Sequence, residues 1–206
     1  MKKFRQFKNK EPKQEQKSKA GVYISIFLAV IMIGGVAGIF LSNPSSDSQF
    51  SYGKYDFKNV NGIWITKISG KEKAFYYLPE QIINLNVSDA AVQIIKNSQG
   101  VLISFDPELN ETSKAQAVDI FKFELVDALI TSNKQAGFGI SKKINSTLPY
   151  VTCENSSAYV PVMSLSYGDE TDIKLINTCI LVSARDEYAL LSLLDYLKYK
   201  IYGVLE

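Results

Sequence analysis

The chain has 206 residues, 46% of them hydrophobic and 12% aromatic, with a formal net charge of +2. That length leaves room for one folded domain beside a tail or anchor, with enough apolar side chain for its core. There is no histidine, which excludes Ser-His-Asp and Cys-His triads, the usual zinc sites and the commonest general base near neutral pH.

The small net charge hides an asymmetry. Residues 1–20 carry eight Lys or Arg (Lys2, Lys3, Arg5, Lys8, Lys10, Lys13, Lys17, Lys19) against Glu11 and Glu15, so they hold +6 and the remainder −4. Gly21 to Leu41 (GVYISIFLAVIMIGGVAGIFL) follows with no charged residue and no Pro. At about 1.5 Å per residue this run spans roughly 31 Å, the thickness of a bilayer's hydrocarbon core. A helix satisfies its own backbone hydrogen bonds in lipid, so the expectation is a transmembrane helix. Basic residues beside a span stay in the cytoplasm, which puts the N-terminus inside and the following domain outside the cell membrane. A cleaved signal peptide is the rival reading, but its apolar region runs to about 7–15 residues, and the length here favours a retained anchor. The tail reads as a contact for anionic lipid of the bilayer, with no nucleic acid implied. Gly34 and Gly38 form a GxxxG pair, a candidate face for helix dimerisation and hence for a homodimer.

Residues 42–51 read as a polar linker and 52–206 as an exoplasmic α/β (α+β) domain, a mixed sheet with about three helices. Gly62–Ile68 and Ala74–Leu78 are predicted to form a hairpin across Ser69–Glu72. Ile82–Val87 alternates and predicts a short strand. Ser88 or Asp89 offers an N-cap for a helix to about Asn97, closed by Gly100. Val101–Phe105 predicts a buried strand. Thr112 or Ser113 is expected to cap a helix to about Ile130, with Val118, Phe121, Leu125, Ala128 and Leu129 at helical spacing. Ala136–Ser141 predicts a strand and residues 142–157 a polar loop. Tyr159–Ser166 and Ile173–Ser183 are predicted to pair across the loop 167–172. A last helix runs to about Tyr202 on Leu190, Leu194, Leu197 and Ile201, with Gly203 beyond its end.

Cys153 and Cys179 both fall in this domain. Two cysteines outside the cytoplasm predict a disulfide, which would close a loop of about 27 residues for ~3–4 kcal/mol. Neither belongs to a CxxC pair. The sequons Asn86 (NVS), Asn110 (NET), Asn145 (NST) and Asn155 (NSS) all lie here, and mark candidate glycosylation sites on the outer surface. Asn155 sits in a loop and reads as the best acceptor; Asn86 sits in a predicted strand and reads as the least.

Other chemistry is sparse. There is no phosphate-binding GxxxxGK[ST] and no GxGxxG; Gly137-Phe138-Gly139 lacks the third glycine and reads as a bent strand. No cofactor and no metal is expected. Asp106, Glu108 and Glu111 form one acidic cluster; Asp169, Glu170 and Asp172 form another. Paired carboxylates can hydrolyse glycosides or hold Ca²⁺, and solvated loops look the same. Ser51 to Lys54 is the one SxxK, without the partner motifs of a Ser–Lys site. Trp64, Phe75, Tyr76 and Tyr77 suit either sugar stacking or the packed side of a hairpin.

Trp64, Phe75, Pro79 and Ile103 to Pro107 (ISFDP) are followed by Cys153-Glu154-Asn155, Val160-Pro161-Val162, Asn177-Thr178-Cys179, Asp195 to Tyr199 (DYLKY) and Tyr202-Gly203-Val204. With the basic tail and single span, these make the chain similar to a group of uncharacterised, membrane-anchored archaeal proteins. The resemblance implies an outward-facing domain with one disulfide and carries no activity. The expected function is a non-catalytic binding or accessory subunit of an envelope complex, with a protein partner or a homodimer. Two others compete: a carboxylate-dependent envelope enzyme acting on glycans, and a single-pass sensor signalling through Gly34 and Gly38.

Overall fold

A computed structural model describes residues 49–205. The tail, Gly21–Leu41 and most of the linker lie outside the described residues, and with them Gly34 and Gly38. Among the described residues no helix is long and apolar enough to cross a membrane.

The first four strands form an antiparallel meander in sequence order: β1 (Gln49–Tyr52), β2 (Tyr55–Val60), β3 (Ile63–Ile68) and β4 (Lys71–Phe75). Its last two turns are two-residue turns with positive φ at both positions, Asn61-Gly62 and Ser69-Gly70. That geometry matches the right-handed twist of the strands it joins. The inner face carries Phe57, Thr66, Ile68 and Phe75.

A one-turn helix α1 (Pro79–Ile82) follows, with Pro at its start and the Leu78 N–H donated to the Gln81 side chain at 2.7 Å. Next come β5 (Asn86–Val87), α2 (Asp89–Asn97), β6 (Gly100–Phe105), α3 (Thr112–Thr131) and β7 (Gln135–Ile140). A long crossing segment, with one 3₁₀ turn at Cys153–Asn155, leads to β8 (Val162–Tyr167), β9 (Asp172–Ile176), β10 (Cys179–Ala184) and α4 (Glu187–Tyr202). These strands form a second, six-stranded sheet in the order β5-β9-β10-β8-β6-β7. The pairs β10–β8, β8–β6, β6–β7 and β5–β9 are parallel; β9–β10 is antiparallel.

Helix α4 is buried on two sides. Leu190, Leu193, Leu194 and Leu197 enter the main core, with Ile103 of β6, Phe121, Leu125 and Leu129 of α3, Met163 of β8 and Ile180 of β10. Tyr196 and Tyr199 enter a second core under the meander. There Phe75 stacks on Tyr199 at 4.1 Å between ring centroids, and Phe57 meets both edge-on. Aromatic pairs of this kind add about 0.5–1.5 kcal/mol to their area burial.

Several expectations are corrected. Gln49–Ser51, read as linker, is in β1, and β2 precedes the predicted hairpin. The second hairpin strand runs Lys71–Phe75, because the N–H groups of Tyr76 and Tyr77 turn to the Asp195 carboxylate and leave the ladder. Because Pro79 opens α1, Ile82–Val87 is a helix end, a turn and two strand residues. The run Ile173–Ser183 is two strands broken by a turn in which Asn177 takes φ +55°. They form the hairpin with each other, so the predicted partner of the run, β8, lies parallel to β10. Glu111, not Thr112 or Ser113, stands at the N-cap of α3. Gly100 opens β6 rather than closing α2; a Cβ there would lie 2.6 Å from the Gln135 carbonyl oxygen. The described residues hold two sheets and four α-helices, an α+β arrangement.

Candidate functional site

The parallel strands β6, β7 and β8 end on the same side, at Phe105, Ile140 and Tyr167. From β6 the chain leaves through α3 towards β7; from β8 it leaves in the opposite direction, towards β9 and β10. Diverging connections leave a crevice beyond the carboxyl ends of adjacent strands, the usual ligand position in open α/β sheets. A cavity of about 280 Å³ occupies this place. Its polar lining comes from Asp106, Ser141, Ser164 and Ser166, its apolar lining from Leu109, Val118, Leu165 and Leu190, with Tyr167 between. The Tyr167 hydroxyl donates to the Lys114 carbonyl at 3.1 Å, which fixes the ring. Burial, helped by the carboxylates of Glu187, Asp186 and Glu111, pushes its phenol up to about 12, so it stays protonated.

Asp106 follows β6 directly. Its Oδ1 accepts the Glu108 N–H at 2.9 Å and its Oδ2 meets the Lys142 ammonium at 2.8 Å. Partial burial works against ionisation, yet Lys142 and the Glu108 N–H outweigh it and hold the carboxyl below its usual range. Glu108 meets the same ammonium at 3.3 Å. Asp106 is therefore a charged acceptor rather than a proton donor. Lys142, raised by the hydrogen bonds it donates to Asp106 and Glu108, stays an ammonium and cannot serve the serines as a base. The crevice can bind hydrogen-bond donors against Asp106 and the hydroxyls, and an apolar flank against the leucines.

The second acidic cluster does not converge on it. Asp169 is exposed in the loop 168–171. Glu170 and the buried Asp172 both pair with Lys174, at 2.9 and 2.5 Å. Glu111 pairs with Lys114. Among the described residues no group of three acids or cysteines is arranged to hold a metal ion. Ser51 bonds to Asp56 at 2.7 Å, and Lys54 lies over the Tyr55 ring. Phe75 is fully buried and Trp64 and Tyr77 partly so, in the core under the meander, while the half-buried Tyr76 packs against the main core.

Cys153 and Cys179 form a disulfide. It pins the segment between β7 and β8 to the start of β10, across the sheet face opposite the helices. Val151 of that segment is buried against Val162 and Cys179, and its carbonyl accepts the Ser104 hydroxyl at 2.6 Å. Gly139 permits this crossing: a Cβ there would come within 2.4 Å of the Val151 side chain.

One cluster was not singled out as a site from sequence. Asp195 is fully buried and accepts the backbone N–H groups of Tyr76 and Tyr77 at 2.6 and 2.9 Å. Lys198, 3% exposed, donates to the Ala74 carbonyl at 2.6 Å and pairs with Glu124 at 2.5 Å and Asp195 at 3.3 Å. The Tyr76 hydroxyl closes the network on Glu124 at 2.9 Å. Every charge is answered, so this is a clamp joining the meander to α3 and α4. An i,i+3 Asp–Lys pair inside an apolar helix stripe was its one sequence signal.

All four sequon asparagines are exposed. Asn110 and Asn145 sit in irregular loops, Asn86 in β5, and Asn155 in the 3₁₀ turn, where its Oδ1 accepts the Thr152 N–H at 2.9 Å. Comparison with known proteins finds no matching family model, no similar curated protein and no similar solved structure.

Proposed function

We propose that this is a single-pass membrane protein whose exoplasmic domain is a non-catalytic binding module, acting as an accessory subunit of an envelope complex. The observation that carries the binding role is the cavity at the divergence of β6 and β8, with Asp106 and three serines around an apolar floor. Its charged acceptor is ionised and no activated base stands beside its hydroxyls, which favours binding over turnover. The anchor and orientation rest on Gly21–Leu41 and the basic residues before it. The disulfide Cys153–Cys179 supports an oxidising compartment.

The ligand class that fits is a small molecule with hydrogen-bond donors on one side and an apolar body on the other. A cavity of this size lies at the low end for small-molecule sites. Extraction from native membranes in mild detergent, followed by native mass spectrometry, tests the reading. A small-molecule adduct, with or without a stoichiometric protein partner, is expected. A bare protein of single-chain mass contradicts it.

A further inference from the structure

We propose that Asn110 and Asn145 are N-glycan acceptors standing on the two loops that frame the mouth of the crevice; this rests on the exoplasmic placement proposed above. The asparagines of the domain divide by duty. Asn61, Asn133 and Asn177 hold positive φ in turns, at 53°, 60° and 55°, a conformation that asparagine tolerates better than most residues. Asn59 accepts the Gly62 N–H at 3.0 Å, and Asn155 accepts the Thr152 N–H. Asn86 is held in strand pairing with β9. Asn110 and Asn145 do none of this. Both are exposed and lie outside helix and strand. Each is followed at the second position by a threonine, Thr112 and Thr147. An acceptor asparagine belongs on a surface loop, where a bulky hydrated chain can be carried.

Their positions relative to the crevice give the modification a consequence. Lys142 reaches Asp106 at 2.8 Å and Glu108 at 3.3 Å, and so ties the loop before α3 to the loop after β7. Leu109, the neighbour of Asn110, lines the crevice, as does Ser141 at the head of the loop holding Asn145. Glycans on both would flank one opening and admit small ligands while fending off large surfaces. The transfer needs a lipid-phosphate-linked oligosaccharide as donor. The asparagine Nδ2 forms a bond to the anomeric carbon, the bond from that carbon to the phosphate oxygen breaks, and the lipid phosphate leaves with the electron pair. The amide gives up one proton to solvent.

The test is peptide-level mass spectrometry of the full chain isolated from its own membranes, with surface labelling of the same cells to read the domain's side. Mass increments in whole sugar units are expected on the peptides holding Asn110 and Asn145. Asn110→Gln and Asn145→Gln should each remove one, and Thr147→Ala should remove the second while leaving Asn145 in place; Thr147→Ser should retain it. Unmodified Asn110 and Asn145 on a domain that labels from outside would overturn the assignment alone. Sugar confined to Asn86 or Asn155 would overturn it equally. A domain that does not label overturns the placement, and the acceptor assignment with it.

Discussion

The carboxylate of Asp195, buried in the last helix, accepts the backbone N–H of Tyr76 at 2.6 Å, just past the end of β4. With Tyr77 N–H at 2.9 Å and Lys198 at 3.3 Å, it is the point where the meander is fastened to the six-stranded half. Removing one partner from a buried charge pair leaves the others unanswered, at about 3–5 kcal/mol. Asp195→Ala should therefore lower stability by that amount in urea unfolding. It should also make the amides of Tyr76 and Tyr77 exchange faster with solvent. A loss under about 1 kcal/mol, within the range of an ordinary hydrogen bond, would show that the clamp does not hold the two parts.

The same group sets a pH dependence. Burial raises the Asp195 carboxyl to about 6 against the opposing pull of Lys198 and the two N–H groups. Its folded value lies above its unfolded one, so the stability linked to its protonation is full below about pH 4 and is lost as pH rises through 6, while the hydrogen bonds it accepts remain. The span of about two pKa units corresponds to about 3 kcal/mol at most. Lys198 faces it directly, and Glu124, with the Tyr76 hydroxyl on it, joins through Lys198. Relative to wild type, Asp195→Asn should remove a fall in stability between pH 4 and 6. Parallel stability curves for the two proteins across that window would refute this.

Much of this was legible in the chain, and the misses have physical causes. Val118, Phe121, Leu125 and Leu129 at helical spacing gave α3, and the leucine stripe gave α4, because each buries a face against the main core. The hairpin turn at Asn61-Gly62 was present as a strong local signal, and the strand before it, with one buried residue in six, was not. Ile173 to Ser183 reads as one apolar run because β10 is largely buried and β9 carries Ile173, Leu175 and Ile176, the last of them exposed; the break between them is marked by nothing stronger than Asn177-Thr178. Parallel pairing of β8 with β10 leaves no mark on periodicity. The crevice draws Asp106, Ser141 and Ser164 from three distant stretches, and only the sheet order brings them together.

Thr66 offers a stabilising change. It is 3% exposed on the inner face of β3, and its hydroxyl has no hydrogen-bond partner among the described residues. A buried hydroxyl left unpaired costs about 1–3 kcal/mol, and valine has the same branched shape. Thr66→Val should raise the urea midpoint, with a gain of about 1 kcal/mol and no change in slope. A decrease would mean that the hydroxyl is in fact satisfied.

Without the disulfide, the segment between β7 and β8 loses its tie to β10. Cys153→Ser with Cys179→Ser should cost about 3 kcal/mol on the chain-entropy model, with the largest loss of exchange protection around Val151. Alkylation of non-reduced native protein should label neither cysteine. Two reactive thiols in folded protein from native membranes would exclude the bond.

The most direct measurement is native mass spectrometry of the detergent-extracted wild-type chain beside Ser164→Leu and Ser166→Tyr, two substitutions that fill the crevice from β8. Thermal unfolding of each variant confirms that it is folded. A small-molecule adduct on wild type that both folded variants lose would establish the cavity beyond β6 and β8 as the binding site. A bare wild-type chain, or an adduct that survives both substitutions, would contradict it.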